Sequence, residues 1–165
     1  YMAKTALKIA FTLVNLGFPT LAQPIQLACH MDACSWANIK IIKELENGKD
    51  GGVLHEISYI FGSSNHRNGT SYPESYTSNI PIKWKKNSEK IMVYCSYIKP
   101  ALFEKKSLIE TFEFPNVYGY EMSALSLYMH TCHRSSYNGN NETFKNLGYK
   151  KITKKKFNSI EELLQ

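Results

Sequence analysis

Four cysteines constrain this chain more than any other feature, because an even number of cysteines can pair into two covalent crosslinks. The pairing of Cys29 with Cys34 would close a short loop, and we favour it. It leaves Cys95 to pair with Cys132 and to tie a strand to a helix. The rival pairing joins Cys34 to Cys95 and Cys29 to Cys132. Neither a CxxC redox motif nor zinc-ligand spacing is present, so structural disulfides are favoured over a redox or metal site.

The first 22 residues have the pattern of a secretory signal peptide. A basic start, an apolar run too short to span a bilayer, a helix breaker and a small residue follow one another. They are Lys4 and Lys8, residues 9–18, Pro19 and Ala22. We predict cleavage after Ala22, a mature chain that begins near Gln23, and a periplasmic or secreted location, where disulfides form. We expect Tyr1, which precedes Met2, to be a remnant of expression.

The remaining segment, residues 23–165, is long enough for one domain with a real core and too short for two. No run in this segment approaches the ~20 apolar residues of a membrane-spanning helix. The whole chain has 20 Lys and Arg against 14 Asp and Glu, a net charge of +6. Two lysines leave with the signal, which makes the mature chain mildly basic. Export and the scarcity of arginine argue against a nucleic-acid partner.

Hydrophobic alternation predicts a first β-hairpin. Residues 36–45 are strand-like, and the glycines among residues 48–52 supply the reversal. Residues 53–61 then alternate with period two, which places His55 on the same face as the apolar side chains. We therefore interpret His55 as a core histidine.

A second hairpin is predicted further along the chain. Residues 80–84 alternate apolar and basic side chains, residues 86–89 are polar enough to turn, and residues 91–97 alternate again. The alternation places Cys95 on the buried face of the returning strand.

From Glu121 onward the apolar period changes to three and four residues, which predicts a helix packed on the sheet. Its stripe consists of Met122, Leu125, Met129 and Cys132. Residues 150–157 could form an edge strand, and Ser159 with Glu162 is typical of the capping box of a short terminal helix. The predicted fold class is α+β: a small antiparallel sheet of two β-hairpins packed against one main helix, with two disulfides.

The polar loop from residue 62 to residue 73 is the best candidate for binding a partner, because it is longer than a connection requires. Arginine, amide and aromatic side chains in such a loop suit a recognition surface. The candidate partner-binding residues are Asn65, His66, Arg67, Asn68 and Tyr72.

Two weaker candidate sites lie in the last third of the chain. His130 and His133 share a helix face and could ligate a metal, although no spacing supplies a third ligand. A lysine-rich segment could bind an anion, and its residues are Lys150, Lys151, Lys154, Lys155 and Lys156. No cofactor is predicted.

Four segments together resemble a group of small, signal-bearing, four-cysteine envelope proteins of Gram-negative bacteria that has no established activity. These segments are residues 29–36, residues 61–66, residues 94–100, and Cys132 with His133. The resemblance implies that the four cysteines and the Ser-Ser-x-His loop belong to one architecture. It carries over no catalytic residue.

The residues favour a binding protein without catalytic activity, such as an inhibitor or immunity-type partner of an envelope-acting enzyme or toxin. A stapled scaffold with displayed loops needs no catalytic set, and none is recognisable. The first alternative is a small envelope hydrolase that uses His66 or the pair His130 and His133, with zinc. The second alternative is an anion-binding envelope accessory protein that uses the segment from Lys150 to Lys156.

Overall fold

The computed structural model describes residues 22–67 and 71–165. The predicted signal peptide therefore falls, apart from Ala22, outside the described residues. The strands are β1 (Ile25–His30), β2 (Ala33–Asn47), β3 (Val53–Asn65), β4 (Lys83–Trp84), β5 (Glu89–Cys95), β6 (Ala101–Phe103), β7 (Ile109–Glu110) and β8 (Lys156–Phe157). The helices are α1 (Met122–His133), α2 (Glu142–Asn146) and α3 (Ile160–Leu164).

The main sheet is antiparallel and has the order β1-β2-β3-β5-β6, with β4 also paired to β3. β7 and β8 form a separate antiparallel ribbon. The α+β class is thus as predicted. No helix in the described part of the chain is both long and apolar enough to cross a membrane.

The predicted first hairpin is present as β2 and β3, which pair from Ala33 opposite Asn65 to Asn47 opposite Val53. The chain reverses through residues 48–52, where Gly51 has a φ of 82°. The ring of Tyr94 lies so close to this turn that a Cβ atom on Gly52 would approach it to 2.6 Å. The positive φ favours glycine at position 51, and the close approach of the Tyr94 ring requires glycine at position 52.

The predicted second hairpin is not formed. β4 and β5 do not pair with each other; both lie along the same edge of β3, with Trp84 opposite Gly62 and Glu89 opposite Tyr59. The physical reason is the length of β3, whose 13 residues supply partners for both strands. The predicted turn spans residues 86–89, but Glu89 already belongs to β5, and residues 86–88 are only an irregularity between two stretches that follow one strand.

The larger core lies between one face of the sheet and α1. The alternation of β3 places Ile57 and Tyr59 in it, and half-buried His55 lies on the same face. The helical stripe is confirmed: Leu125 and Met129 are buried, and Met122 and Cys132 pack against them at the margin. The disulfides join Cys29 to Cys34 and Cys95 to Cys132, which is the favoured pairing.

A second core, which the sequence did not reveal, covers the opposite face of the sheet. Leu54, Met92 and Tyr94 pack there against α3. Ser159 caps α3 as predicted, because its hydroxyl accepts from the N–H of Glu162 at 3.1 Å. The predicted edge strand over residues 150–157 is reduced to β8, which pairs with β7 rather than with the main sheet.

Candidate functional site

The turn between β1 and β2 forms the tip of the candidate site. Cys29 lies opposite Cys34 and His30 opposite Ala33, so only Met31 and Asp32 remain in the turn. Both have positive φ, at 49° and 61°. This is the left-handed pair of angles that a two-residue hairpin turn with the native twist needs. The disulfide directly beneath closes the turn covalently.

Asp32 connects this turn to the polar loop that follows β3. Its carbonyl oxygen accepts from the backbone N–H of His66 at 2.7 Å, and its own N–H donates to the hydroxyl of Tyr72 at 3.0 Å. The rings of His66 and Tyr72 meet edge to face at 6.0 Å. Residues 40 positions apart in the chain are thereby held on one surface. We call this the loop surface, formed by Met31, Asp32, Asn65, His66, Arg67 and Tyr72.

A buried hydrogen-bond chain supports the loop surface from below. The indole N–H of fully buried Trp36 donates to the hydroxyl of Ser64 at 2.8 Å, and Ser64 lies 2.8 Å from Nε2 of His66. A serine hydrogen-bonded to a histidine is the nucleophile and base of a catalytic triad, in which a third group orients the histidine. Here, however, Ser64 is buried, and among the described residues no carboxylate hydrogen-bonds to His66. These contacts fix the position of the His66 ring beneath the loop surface.

A recess of about 310 Å³ adjoins the loop surface. The ends of β2 and β3 and the segment that leads into β4 enclose it. It is lined by Ala33, Ser63, Ser64, Asn65, Pro81 and Lys83. The lining combines apolar, hydroxyl and amide side chains, and Lys83 adds one positive charge. The recess has the size of a pocket for one side chain or a small ligand.

The structure brings most of the predicted loop residues together. Asn65 lines the recess, His66 and Tyr72 contact Asp32 or each other, and Arg67 is exposed at the margin. Asn68 lies outside the described residues. Sequence reasoning missed the turn residue Met31, which is 82% exposed, and its neighbour Asp32. The available signal was that four residues separate Cys29 from Cys34, which fits a disulfide that joins opposite residues next to a two-residue hairpin turn.

The predicted metal pair does not acquire a third ligand in the described part of the chain, where no group of three or more His, Cys, Asp or Glu could hold an ion. Nε2 of His133 instead lies 2.7 Å from the hydroxyl of Tyr149, which lies 2.8 Å from the hydroxyl of Tyr128. Burial lowers the pKa of both His130 and His133. Burial also raises the pKa of Tyr128 and Tyr149, so this cluster is uncharged at neutral pH.

Three of the five predicted anion-binding lysines line a second and larger depression, of about 540 Å³. We call it the lysine groove; its lining residues are Tyr97, Ile98, Gly148, Lys150, Lys151, Ile152, Thr153 and Lys155. No acidic side chain is among them. Lys156 is engaged elsewhere, because its ammonium pairs with the carboxylate of Glu110 at 3.0 Å.

Comparisons with known proteins add no relationship, since no protein-family model, no curated protein and no solved structure matches the chain.

Proposed function

We propose that this is an exported periplasmic binding protein without catalytic activity, an inhibitor or immunity-type partner of an envelope-acting enzyme or toxin. The observation that carries the proposal is the construction of the loop surface. A disulfide, two hydrogen bonds to Asp32 and the Trp36–Ser64–His66 chain hold two separate loops in one arrangement. Such preorganisation reduces the entropy that is lost when a partner binds.

The composition of the loop surface supports the same proposal. Met31 projects an unbranched apolar side chain at the tip, and Met is well suited to contact surfaces because it adapts its shape. Tyr72 and Arg67 add residue types that are enriched among binding hot spots. The two disulfides are compatible with an oxidising compartment. The resemblance to small envelope proteins supports the same location.

A capture experiment from the native cell envelope tests the proposal. The bait is the chain with Asn65, His66 and Arg67 all replaced by alanine, compared with the wild-type bait. The matched control replaces Lys105, Lys106 and Leu108 with alanine; these three residues are exposed in the turn between β6 and β7. We expect one saturable protein partner that the loop variant loses and the control keeps. Equal capture by both variants, or no partner for the wild type, would overturn the proposal.

The second candidate function is anion binding, and the lysine groove favours it. Three ammonium groups border one depression whose lining contains no acid, and the exposed ring of Tyr97 forms part of its wall. Its test is retention on immobilised heparin as a function of salt. Replacing Lys150, Lys151 and Lys155 with serine should lower the eluting salt concentration far more than the same change at Lys86, Lys105 and Lys106. Equal effects of the two triple changes would reject the groove.

A further inference from the structure

The second half of β2 presents an edge that no described residue pairs with. β1 accompanies β2 only as far as the pair Ile25 and Ala37, and β2 continues for ten more residues to Asn47. On its other side this part of β2 pairs with β3. We call residues 40–47 the edge segment. Its outer row of backbone N–H and C=O groups is a template for another strand.

The edge segment also exposes apolar side chains. Every residue from 40 to 47 is exposed, including Ile41 at 61%, Ile42 and Leu45. Natural proteins protect open edges with short strands, prolines, lysines, β-bulges or covering elements. This strand is long and has no proline, but it does have Lys40, Lys43 and two register shifts against β3, between Ile39 and Ile41 and between Glu44 and Glu46. Here three apolar side chains lie in water on a long strand, which is the composition of a pairing surface.

The charges of the edge segment identify what would pair with it. Lys40 and Lys43 lie in its first half, and Glu44 and Glu46 lie in its second half. When two copies of this strand pair antiparallel in the register that sets Lys40 opposite Glu46, two Lys–Glu pairs form, and Lys43 lies opposite its own copy on the two-fold axis. A parallel pairing would place lysine beside lysine. We propose that the edge segment is a homodimer interface, in which a second copy of this chain continues the sheet about a two-fold axis.

The proposal is independent of the partner proposed for the loop surface. An antiparallel two-fold interface is isologous, so each copy contributes the same residues and the assembly closes at two. Opposite charges across neighbouring strands contribute about 0.2–1 kcal/mol each, and like charges cost a similar amount. Because the axis repeats every pair, one substitution changes two contacts.

The test is a charge exchange at Lys40 and Glu46. Both side chains are exposed, and neither belongs to the ion pairs found among the described residues. The full chain is measured by sedimentation equilibrium as wild type, Lys40→Glu and Glu46→Lys. Lys105→Glu, in the turn between β6 and β7, is the control for net charge.

We expect a wild-type dimer, an increase in the dissociation constant of about tenfold for each single variant, and no change for the control. Mixing Lys40→Glu with Glu46→Lys should restore dimers, now as heterodimers, because every Lys–Glu contact is formed again. This rescue would not occur if the substitutions merely damaged the fold. A wild-type chain that stays monomeric at about 0.1 mM would overturn the proposal. So would single variants that dimerise as well as the wild type.

Discussion

Met31 combines a strained backbone conformation with exposure of a large apolar side chain. A non-glycine residue with positive φ costs about 1 kcal/mol, and an apolar side chain with open access to water gains nothing from burial. Asp32, the other turn residue, tolerates this conformation because its short side chain is among those often found there. Strain at an exposed, disulfide-closed tip is consistent with a residue kept for contact rather than for stability.

Replacing Met31 with asparagine should therefore stabilise the fold and weaken binding of the proposed partner. Asparagine adopts the left-handed region more readily, so we expect a gain of about 0.5–1 kcal/mol in the free energy of unfolding. Loss of the methionine side chain should weaken partner affinity about tenfold or more, as for a hot-spot residue. Urea denaturation and partner titration measure the two effects. A variant that gains stability and binds as tightly as the wild type would remove Met31 from the loop surface.

Ser64 is the residue that connects the core to the loop surface. Changing it to alanine leaves the indole N–H of Trp36 buried without its acceptor, which costs about 1–3 kcal/mol. Ser63 is the matched control, because it neighbours Ser64 and is exposed; its alanine variant should stay within about 0.5 kcal/mol of the wild type. Chemical denaturation of both variants checks the difference. Equal stabilities would show that the indole finds another partner.

The two disulfides act on elements in different ways. Cys29–Cys34 closes a loop with a sequence separation of 5, whereas Cys95–Cys132 spans 37 and joins β5 to α1. In the chain-entropy description the longer loop contributes about 4 kcal/mol and the shorter about 2 kcal/mol. The double alanine variant of Cys95 and Cys132 should thus lose more stability, while that of Cys29 and Cys34 should lose mainly partner binding. Thermal melts beside binding titrations separate these results, and the reverse order would contradict them.

The elements that the sequence revealed are those whose signals are local. The glycines at residues 48–52, the alternation of β3 and the stripe from Met122 to Cys132 each lie within a short window. The pairing of both β4 and β5 with β3 is not local, since it depends on how long β3 continues. The second core was also hidden, because Leu54 alternates with Glu56 and Ser58 and that face looked solvent-exposed.

The candidate site divides along the same line. Composition and loop length were enough to select Asn65, His66 and Tyr72. The contacts to Asp32 were not predictable, because they join residues 34 and 40 positions apart. Only the fold shows that the disulfide turn and the polar loop form one surface.

At the scale of the whole molecule, the loop surface and the edge segment occupy opposite ends of β2. The loop surface adjoins the start of the strand at Ala33, and the edge segment extends to its end at Asn47. In the proposed antiparallel dimer, the two starts of β2 lead away from each other. Two loop surfaces would then face outward at separate ends, so that one dimer engages two partner molecules, or two sites of a dimeric partner with a gain in avidity.

The pH dependence of stability is a property of the whole molecule, and two half-buried histidines, His130 and His133, should dominate it near neutrality. Burial lowers the folded-state pKa of His130 and His133 below the ordinary value of 6.5. The unfolded chain therefore binds more protons than the folded chain once the pH falls below that value. The stabilisation is complete above the unfolded pKa and is lost progressively as the pH falls toward the folded pKa.

Urea denaturation at about pH 7.5 and about pH 5.5 should accordingly show a lower free energy of unfolding at the more acidic pH. Hydrogen bonds from Ser96, Tyr94 and Gly52 outweigh burial and lower the pKa of Asp50, but its contribution is lost only below the ordinary value of 3.8, outside this window. Replacing both histidines with glutamine removes the titrating groups, so the variant should lose less stability than the wild type between the two pH values. If the two proteins lose the same amount, groups other than His130 and His133 account for the change.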